Sequence, residues 1–213
     1  MRIIAFLLIL NLLSPGNSIA QTYNDGTIEY DIMLDGIRDS NAIRIFKNAY
    51  MVLYIRGHQT RSELHTSMGI TTTIYDEKNG SAVILNEYGN QRVMLRLSSD
   101  QYKLVNKKYR DVSIELLKDT KNVNGYSCKS ASIKIKGGSG YLVYYSPVLK
   151  FQTLYNGLPV VMDGFPMEYE SEIEGMKVIY KVRKISLDAV TANLFDLPSS
   201  GYREVKFEEI YKP

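Results

Sequence analysis

The sequence predicts a mainly β fold, an antiparallel meander that forms a curved, half-open barrel with one or two short helices. Apolar and polar residues alternate along many segments, as in 28–34, and a period of two is typical of half-buried strands. Asn-Gly pairs separate several of these segments and favour tight hairpin turns. Helical periodicity is scarce. Together these observations favour one β-rich domain.

The alternating segments follow one another along most of the chain. Each one places apolar side chains on one face and polar side chains on the other. The phase slips after Val182, which predicts a bulge near Lys184. The clearest alternating segments are 28–34, 51–55, 70–74, 93–97, 167–173 and 178–182.

Turn signals divide these segments into roughly ten strands. Asn79-Gly80 and Asn124-Gly125 predict hairpins, because Asn and Gly tolerate the positive φ of a type I′ turn. One helix is expected over 98–109, where Ser98 or Ser99 could serve as N-cap. A second short helical turn is expected within 189–195.

The first twenty residues have the order of a secretory signal peptide. Arg2 precedes an apolar run, Pro15 and Gly16 interrupt it, and residues 18–20 (SIA) place small side chains at a cleavage site. A membrane anchor would need about 20 apolar residues, and this run is about half that length. We therefore expect cleavage after Ala20, a single domain over 21–213, and export to the periplasm or the exterior.

Charge and cysteine content limit the classes of partner. The formal net charge is +3, so nothing in the composition points to nucleic acid. No later segment is apolar enough to predict a membrane span. A single Cys excludes an internal disulfide. No cofactor or metal is predicted, since neither a Gly-rich phosphate loop nor a metal-ligand motif occurs.

The sequence does not predict an enzyme. His58 and His65 are seven residues apart, so on one continuous strand they would lie on opposite faces. Glu63 would share a face with His65, as would Arg61, and a paired or solvated strand surface is the simplest interpretation. A hydrolase with an unrecognised site is an alternative, and it requires a histidine to meet a carboxylate and a nucleophile in a cleft.

Cys128 is the one candidate thiol. Strict alternation with Ala131 and Ile133 would place it on the polar face, although a bulge near the Asn124-Gly125 turn could reverse this. Free Cys is usually buried, and no His lies nearby in the sequence to activate it. We expect an inert thiol.

Three segments together resemble a group of small exported bacterial domains of unknown function, including the GLPGLI family. They are residues 123–131 (VNGYSCKSA), 164–169 (GFPMEY) and 194–202 (LFDLPSSGY). Such domains are similar in layout to the LolA-like lipoprotein carriers, in which helices close an incomplete barrel over an apolar cavity. The resemblance implies a cell-envelope binding module.

The expected function is therefore non-catalytic binding in the cell envelope, of a lipid or acylated ligand or of an envelope protein. Because each long strand has an apolar face, a concave apolar surface is predicted. Its candidate lining residues are Ile28, Tyr30, Leu53, Leu95, Tyr169 and Tyr180. The main alternative is a protein-protein interaction domain whose core is fully packed and holds no small ligand. An apolar cavity of several hundred cubic ångströms would distinguish the two.

Overall fold

A computed structural model describes residues 21–109, 111–136, 138, 140–153, 163–173 and 175–211, except the side chain of Lys108. The expected signal peptide lies outside these residues. The strands are β1 Gln21–Tyr23, β2 Asp25–Leu34, β3 Tyr50–Arg56, β4 Gln59–Thr66, β5 Gly69–Asp76, β6 Ser81–Tyr88, β7 Gln91–Leu97, β8 Val112–Val123, β9 Tyr126–Ile135, β10 Gly140–Ser146, β11 Leu149–Phe151, β12 Phe165–Ile173, β13 Met176–Ser186 and β14 Arg203–Val205. The α-helices are α1 Ser40–Phe46, α2 Ser99–Val105 and α3 Phe207–Ile210, and 3₁₀ turns cover Lys107–Tyr109 and Ala192–Phe195.

Twelve of the described strands form one sheet in the order β14-β7-β6-β5-β4-β3-β2-β13-β12-β10-β9-β8. Its neighbours pair antiparallel, except β14, which lies parallel to β7. The chain runs outward from β2 to β7, crosses to β8 at the far end, and returns to β13 beside β2. The remaining two strands, β1 and β11, pair in parallel. The mainly β antiparallel fold predicted from the sequence is confirmed.

The connection between β7 and β8 requires the sheet to curve. Ten strand spacings separate β7 from β8, about 48 Å in a flat sheet. The linking residues 98–111 include α2 and a 3₁₀ turn, so they span at most about 40 Å. The sheet is therefore curved rather than flat, as in the predicted half-open barrel.

The interior of this curve contains the main hydrophobic core. Ile28, Tyr30 and Leu53 have no exposed surface, and they pack with residues from the returning strands, such as Met167 and Val143. A second cluster around Leu95 lies under α2 and α3, and a third joins Ile74 to Val190 and Phe195. Burying one face of most strands in this way explains the alternation in the sequence.

Several local predictions are confirmed. Ser98 caps α2, and its hydroxyl oxygen accepts from the Gln101 amide at 3.3 Å within a complete capping box. Asn124 and Gly125 both have positive φ, 49° and 83°, as a type I′ turn requires. The register of β13 against β2 shifts between Val182 and Lys184, at the expected bulge.

The estimate of roughly ten strands was too low, because β1, β11 and β14 have three residues each and show no alternation over so short a length. Helix α1 was not predicted either. It is seven residues long and buries only Ala42 and Phe46, one pair at i and i+4 spacing. No helix in the described part of the chain has the length and apolar character that a bilayer crossing requires.

Candidate functional site

The six residues predicted to line an apolar surface are all buried, and none is more than 8% exposed. Five of them belong to the main core cluster, whereas Leu95 belongs to the second cluster. The rings of Tyr169 and Tyr180 stack at 4.7 Å, and Tyr30 meets the ring of Tyr169 edge-on at 5.7 Å. The Tyr30 hydroxyl donates to the Pro166 carbonyl at 3.1 Å. These side chains therefore fill the core in this structure.

A cleft of about 570 Å³ opens instead at one end of strands β2 to β5. Its described lining contains no apolar side chain. The lining residues are Asn24, Asp25, Arg56, Gly57, His58, Gln59, Asp76, Lys78 and Gln152. A cleft with this lining offers hydrogen bonds and charge, and it suits a polar ligand rather than an acyl chain.

The floor of the cleft is one cross-strand row of side chains. Asp25 pairs with Arg56, Arg56 pairs with Gln59, and Gln59 pairs with Asp76 in the sheet register. Directly opposed residues project from the same face, so these four side chains lie side by side. Because Ile55 and Thr60 next to them are buried in the other direction, the row lies on the face opposite the main core.

Backbone contacts hold the rim of the cleft in place. The tight turn between β3 and β4 places Gly57 at φ 55°, a conformation that glycine adopts without strain. The Gly57 amide donates to the Asn24 carbonyl at 2.8 Å, and the Gly57 carbonyl accepts from the Thr153 hydroxyl. The Gln152 amide donates to the Tyr23 carbonyl at 3.0 Å, which ties β11 to β1 beside the cleft.

The carboxylates of the floor are already partly engaged. Asp25 Oδ2 accepts from the Val190 amide at 3.1 Å. Asp76 Oδ1 accepts from the Lys78 amide at 2.9 Å, and this bond shapes the turn after β5. Each carboxylate keeps further lone pairs for a ligand.

The cations of the cleft have no acidic partner among the described residues. Neither the guanidinium of Arg56 nor the ammonium of Lys78 forms an ion pair or hydrogen bond there, and both side chains are exposed. His58 Nδ1 lies 3.9 Å from Glu77, at the edge of ion-pair range. The arrangement presents positive and negative groups together, with amide side chains between them.

Arg61, Glu63 and His65 lie together on one face of β4, as predicted, and none of them lines the cleft. Arg61 Nε donates to Glu63 at 2.6 Å, and His65 Nε2 lies 3.3 Å from the other Glu63 oxygen. The His65 ring stacks on Tyr50 at 4.4 Å. Burial and the Glu63 charge raise the pKa of Tyr54 nearby. The pairing satisfies these groups mutually, which matches the expected paired strand surface.

Cys128 is fully buried, so strict alternation fails there and the alternative, a change of phase that turns the thiol inward, applies. The alternation changes phase where Ser130 and Ala131 are both buried, opposite a register irregularity in β8 between Leu116 and Thr120. Burial raises the pKa of the Cys128 thiol, and the thiol donates to the Tyr126 carbonyl at 3.4 Å. These contacts agree with the expectation of an inert thiol.

The sequence does not predict the cleft, because no motif marks it. Its residues come from four separate segments, and only strand register brings Asp25 and Asp76 into one row. The single local signal was the polar turn at residues 56–59 (RGHQ) between two alternating segments. Within the described residues, no three His, Cys, Asp or Glu side chains group as metal ligands would.

Residues 43–157 match the family model described as "Domain of unknown function (DUF4412)". No curated protein matches the chain. Among solved structures, an uncharacterized conserved protein from Thermus thermophilus is similar over 84% of this chain and 90% of its own, with 11% identity and a TM-score of 0.51. That likeness shows a shared fold.

Two weaker structural likenesses cover different shares of the other protein. PNGF-II is 12% identical over 86% of this chain, with a TM-score of 0.45, and the chain spans only 31% of PNGF-II. A beta-barrel-like protein of the DUF1849 family from Brucella abortus is 13% identical over 78% of this chain and 99% of its own, with a TM-score of 0.39.

Proposed function

The chain belongs to the DUF4412 family, and we propose that this member is an exported, non-catalytic binding module of the cell envelope. Its ligand would be a short hydrophilic peptide segment that carries both a positive and a negative charge, bound in the cleft at the end of β2 to β5. The observation that carries this proposal is the polar lining of the cleft among the described residues, where two cations without a described acidic partner lie beside two carboxylates.

The size of the floor supports an extended peptide. Asp25 and Asp76 are separated by three strand spacings, about 14 Å. About four residues of extended chain cover that distance, at about 3.4 Å per residue. The amide side chains of Asn24, Gln59 and Gln152 can both donate to and accept from peptide groups.

The charge pattern supports a ligand with both signs. Arg56 can bind a carboxylate bidentately, and Lys78 can bind one as a point charge. Asp25 and Asp76 can accept from an ammonium group. A purely apolar ligand would leave all of these groups desolvated and unpaired, which costs free energy.

The same distances support a role without catalysis. Paired carboxylates that hydrolyse glycosidic bonds lie about 5–10 Å apart, whereas three strand spacings, about 14 Å, separate the backbones of Asp25 and Asp76. His58 approaches Glu77 only to 3.9 Å. A lipid or acyl ligand stays a prediction of the sequence, because the residues proposed to hold it are packed against one another here.

Calorimetric titration with the peptide acetyl-Lys-Gly-Gly-Glu-amide tests the proposal. We expect binding near 0.1–1 mM, on the order of −5 kcal/mol, that weakens as salt rises from about 0.05 to 0.5 M. The neutral peptide acetyl-Gln-Gly-Gly-Gln-amide should bind at least tenfold more weakly.

The matched variants are Arg56→Ala and Arg38→Ala. Arg38 is also an exposed arginine, but it does not line the cleft. Arg56→Ala should weaken peptide binding at least tenfold, and Arg38→Ala should leave it unchanged. Equal binding by both variants, or no binding by the wild type, would contradict the proposed function.

A further inference from the structure

Strand β8 forms one end of the large sheet and exposes apolar side chains there. No described strand pairs with the side of β8 that faces away from β9. Ile114 is 41% exposed and Leu116 is 71% exposed. A single exposed apolar residue needs no explanation, but two of them beside a free edge mark a strand that can pair with another chain.

Only the first half of β8 is available for regular pairing. Between Leu116 and Thr120 the register against β9 shifts, and Lys118 and Asp119 are exposed there. Bulges and edge charges are the usual protection of a free strand edge. The segment Val112–Leu116 contains no bulge and no proline, and Glu115 is its one charged residue.

The apolar row of this segment continues the core of the sheet. Ile114 is directly opposite Ile133 of β9, and Leu116 is directly opposite Ala131, both of which are buried. A strand added beside β8 would extend this row outward on the same face.

We propose that two copies of the chain associate through β8, paired antiparallel about a twofold axis at Ile114. This register places Ile114 opposite Ile114 of the second copy and Val112 opposite Leu116, so that apolar residues oppose one another on one face. On the other face Ser113 opposes Glu115, and no like charges meet within two residues of the axis.

The register about Ile114 opposes no like charges within two residues of its axis, whereas three neighbouring twofold registers do. An axis at Glu115 opposes two glutamates, an axis at Leu117 opposes Glu115 to Asp119, and an axis at Ser113 opposes Asp111 to Glu115. An axis at Leu116 places the charge of Lys118 against Ile114. The sequence of β8 is thus self-complementary about Ile114, as an isologous interface requires.

The net charge of the chain opposes this association only weakly. A formal charge of +3 on each copy gives weak repulsion at physiological salt. Five paired residues per copy would form an interface that is small among specific protein interfaces. A dissociation constant of about 10–100 µM is therefore expected. The dimer is independent of the peptide cleft, and either proposal can fail without the other.

Sedimentation equilibrium between about 1 and 200 µM tests the dimer, on protein purified from cells that express the full chain. The wild type should pass from monomer to dimer across this range. Ile114→Lys should stay monomeric, because it opposes two ammonium groups at the axis. Ile43→Lys is the matched control, since Ile43 is 49% exposed on α1, and it should dimerise normally.

A mixture of two variants tests the register through a gain of association rather than a loss of it. Ile114→Lys and Ile114→Glu should each be monomeric, yet an equimolar mixture should form a heterodimer, because the two substituted residues face each other. Circular dichroism spectra must match the wild type for both variants. A wild type that stays monomeric at 200 µM, an Ile114→Lys variant that dimerises normally, or a mixture of folded variants that stays monomeric would overturn the proposal.

Discussion

The two faces of β2 and β3 differ sharply, although alternate residues of the same two strands build them. One face carries Ile28, Tyr30 and Leu53, which are wholly buried. The other face ends in the row that includes Asp25 and Arg56, where a cleft is open and two cations have no described acidic partner. A filled face contributes stability, whereas an open polar face leaves its groups free for a ligand. Substitutions on the two faces should therefore affect different measurements.

The largest effect is expected on the filled face. Leu53→Ala removes a side chain with no exposed surface from the main core and should lower the free energy of unfolding by about 2–5 kcal/mol. Peptide binding by the remaining folded protein should be unchanged. Urea denaturation measures the first quantity. A loss below about 1 kcal/mol would mean that the core is not packed around Leu53 as described.

A substitution at Cys128 tests whether the main core depends on a reactive thiol. Cys128→Ser should lower the free energy of unfolding by about 1–2 kcal/mol, because a hydroxyl replaces a buried thiol. Since burial raises the pKa of Cys128, alkylation by iodoacetamide at pH 8 should be much slower in the native protein than in urea. Equal alkylation rates in the two conditions would contradict the buried position.

Two tyrosines combine a packed ring with a polar contact, and they give a dependence of stability on pH. Burial, with a hydrogen bond to Glu172, raises the pKa of Tyr141 to about 12, and burial with a bond to Glu87 does the same for Tyr202. An unfolded tyrosine loses its proton near pH 10. The stability from this difference is complete below pH 10 and is lost as pH rises to 12.

Denaturation at pH 9 and pH 11.5 should therefore show a fall in the free energy of unfolding. In the double variant Tyr141→Phe, Tyr202→Phe the fall should be smaller, by on the order of 1 kcal/mol per tyrosine. An identical fall in the wild type and the double variant would show that these two hydroxyls do not keep their protons in the folded state.

The smallest effect on stability is expected in the cleft. Arg56→Ala should change the free energy of unfolding by less than about 0.5 kcal/mol, since its side chain is exposed and has no described partner. Urea denaturation beside Arg38→Ala checks this. A decrease of more than about 1 kcal/mol in the free energy of unfolding would show that Arg56 stabilises the fold. The two faces would then not differ as described.

The sequence predicted the filled face much better than the open one. Alternation is a local property, so the inward positions of Ile28, Tyr30 and Leu53 could be inferred from their own segment. Their packing against the returning strands could not, because the order β2-β13-β12 joins segments more than a hundred residues apart. With this strand order, the returning strands pack against the predicted concave surface, which therefore forms the core.

The cleft depends wholly on register between strands and on turns. Arg56 and Asp76 are separated by twenty residues and carry no motif. Cys128 shows the same limit, since one irregularity in the partner strand β8 accompanied a change in the phase of its side chains. Local patterns therefore indicate the side to which a residue points, whereas long-range pairing decides its neighbours.

The most direct test of the peptide-binding proposal is to map the contact on the wild-type protein by two-dimensional NMR. Titration with acetyl-Lys-Gly-Gly-Glu-amide should shift the amide signals of Arg56, Gln59, Asp76 and Gln152, and leave those of Leu53 and Tyr169 in place. Saturable shifts confined to the cleft are the predicted result. Shifts centred on the core residues, or none at millimolar peptide, would contradict the account.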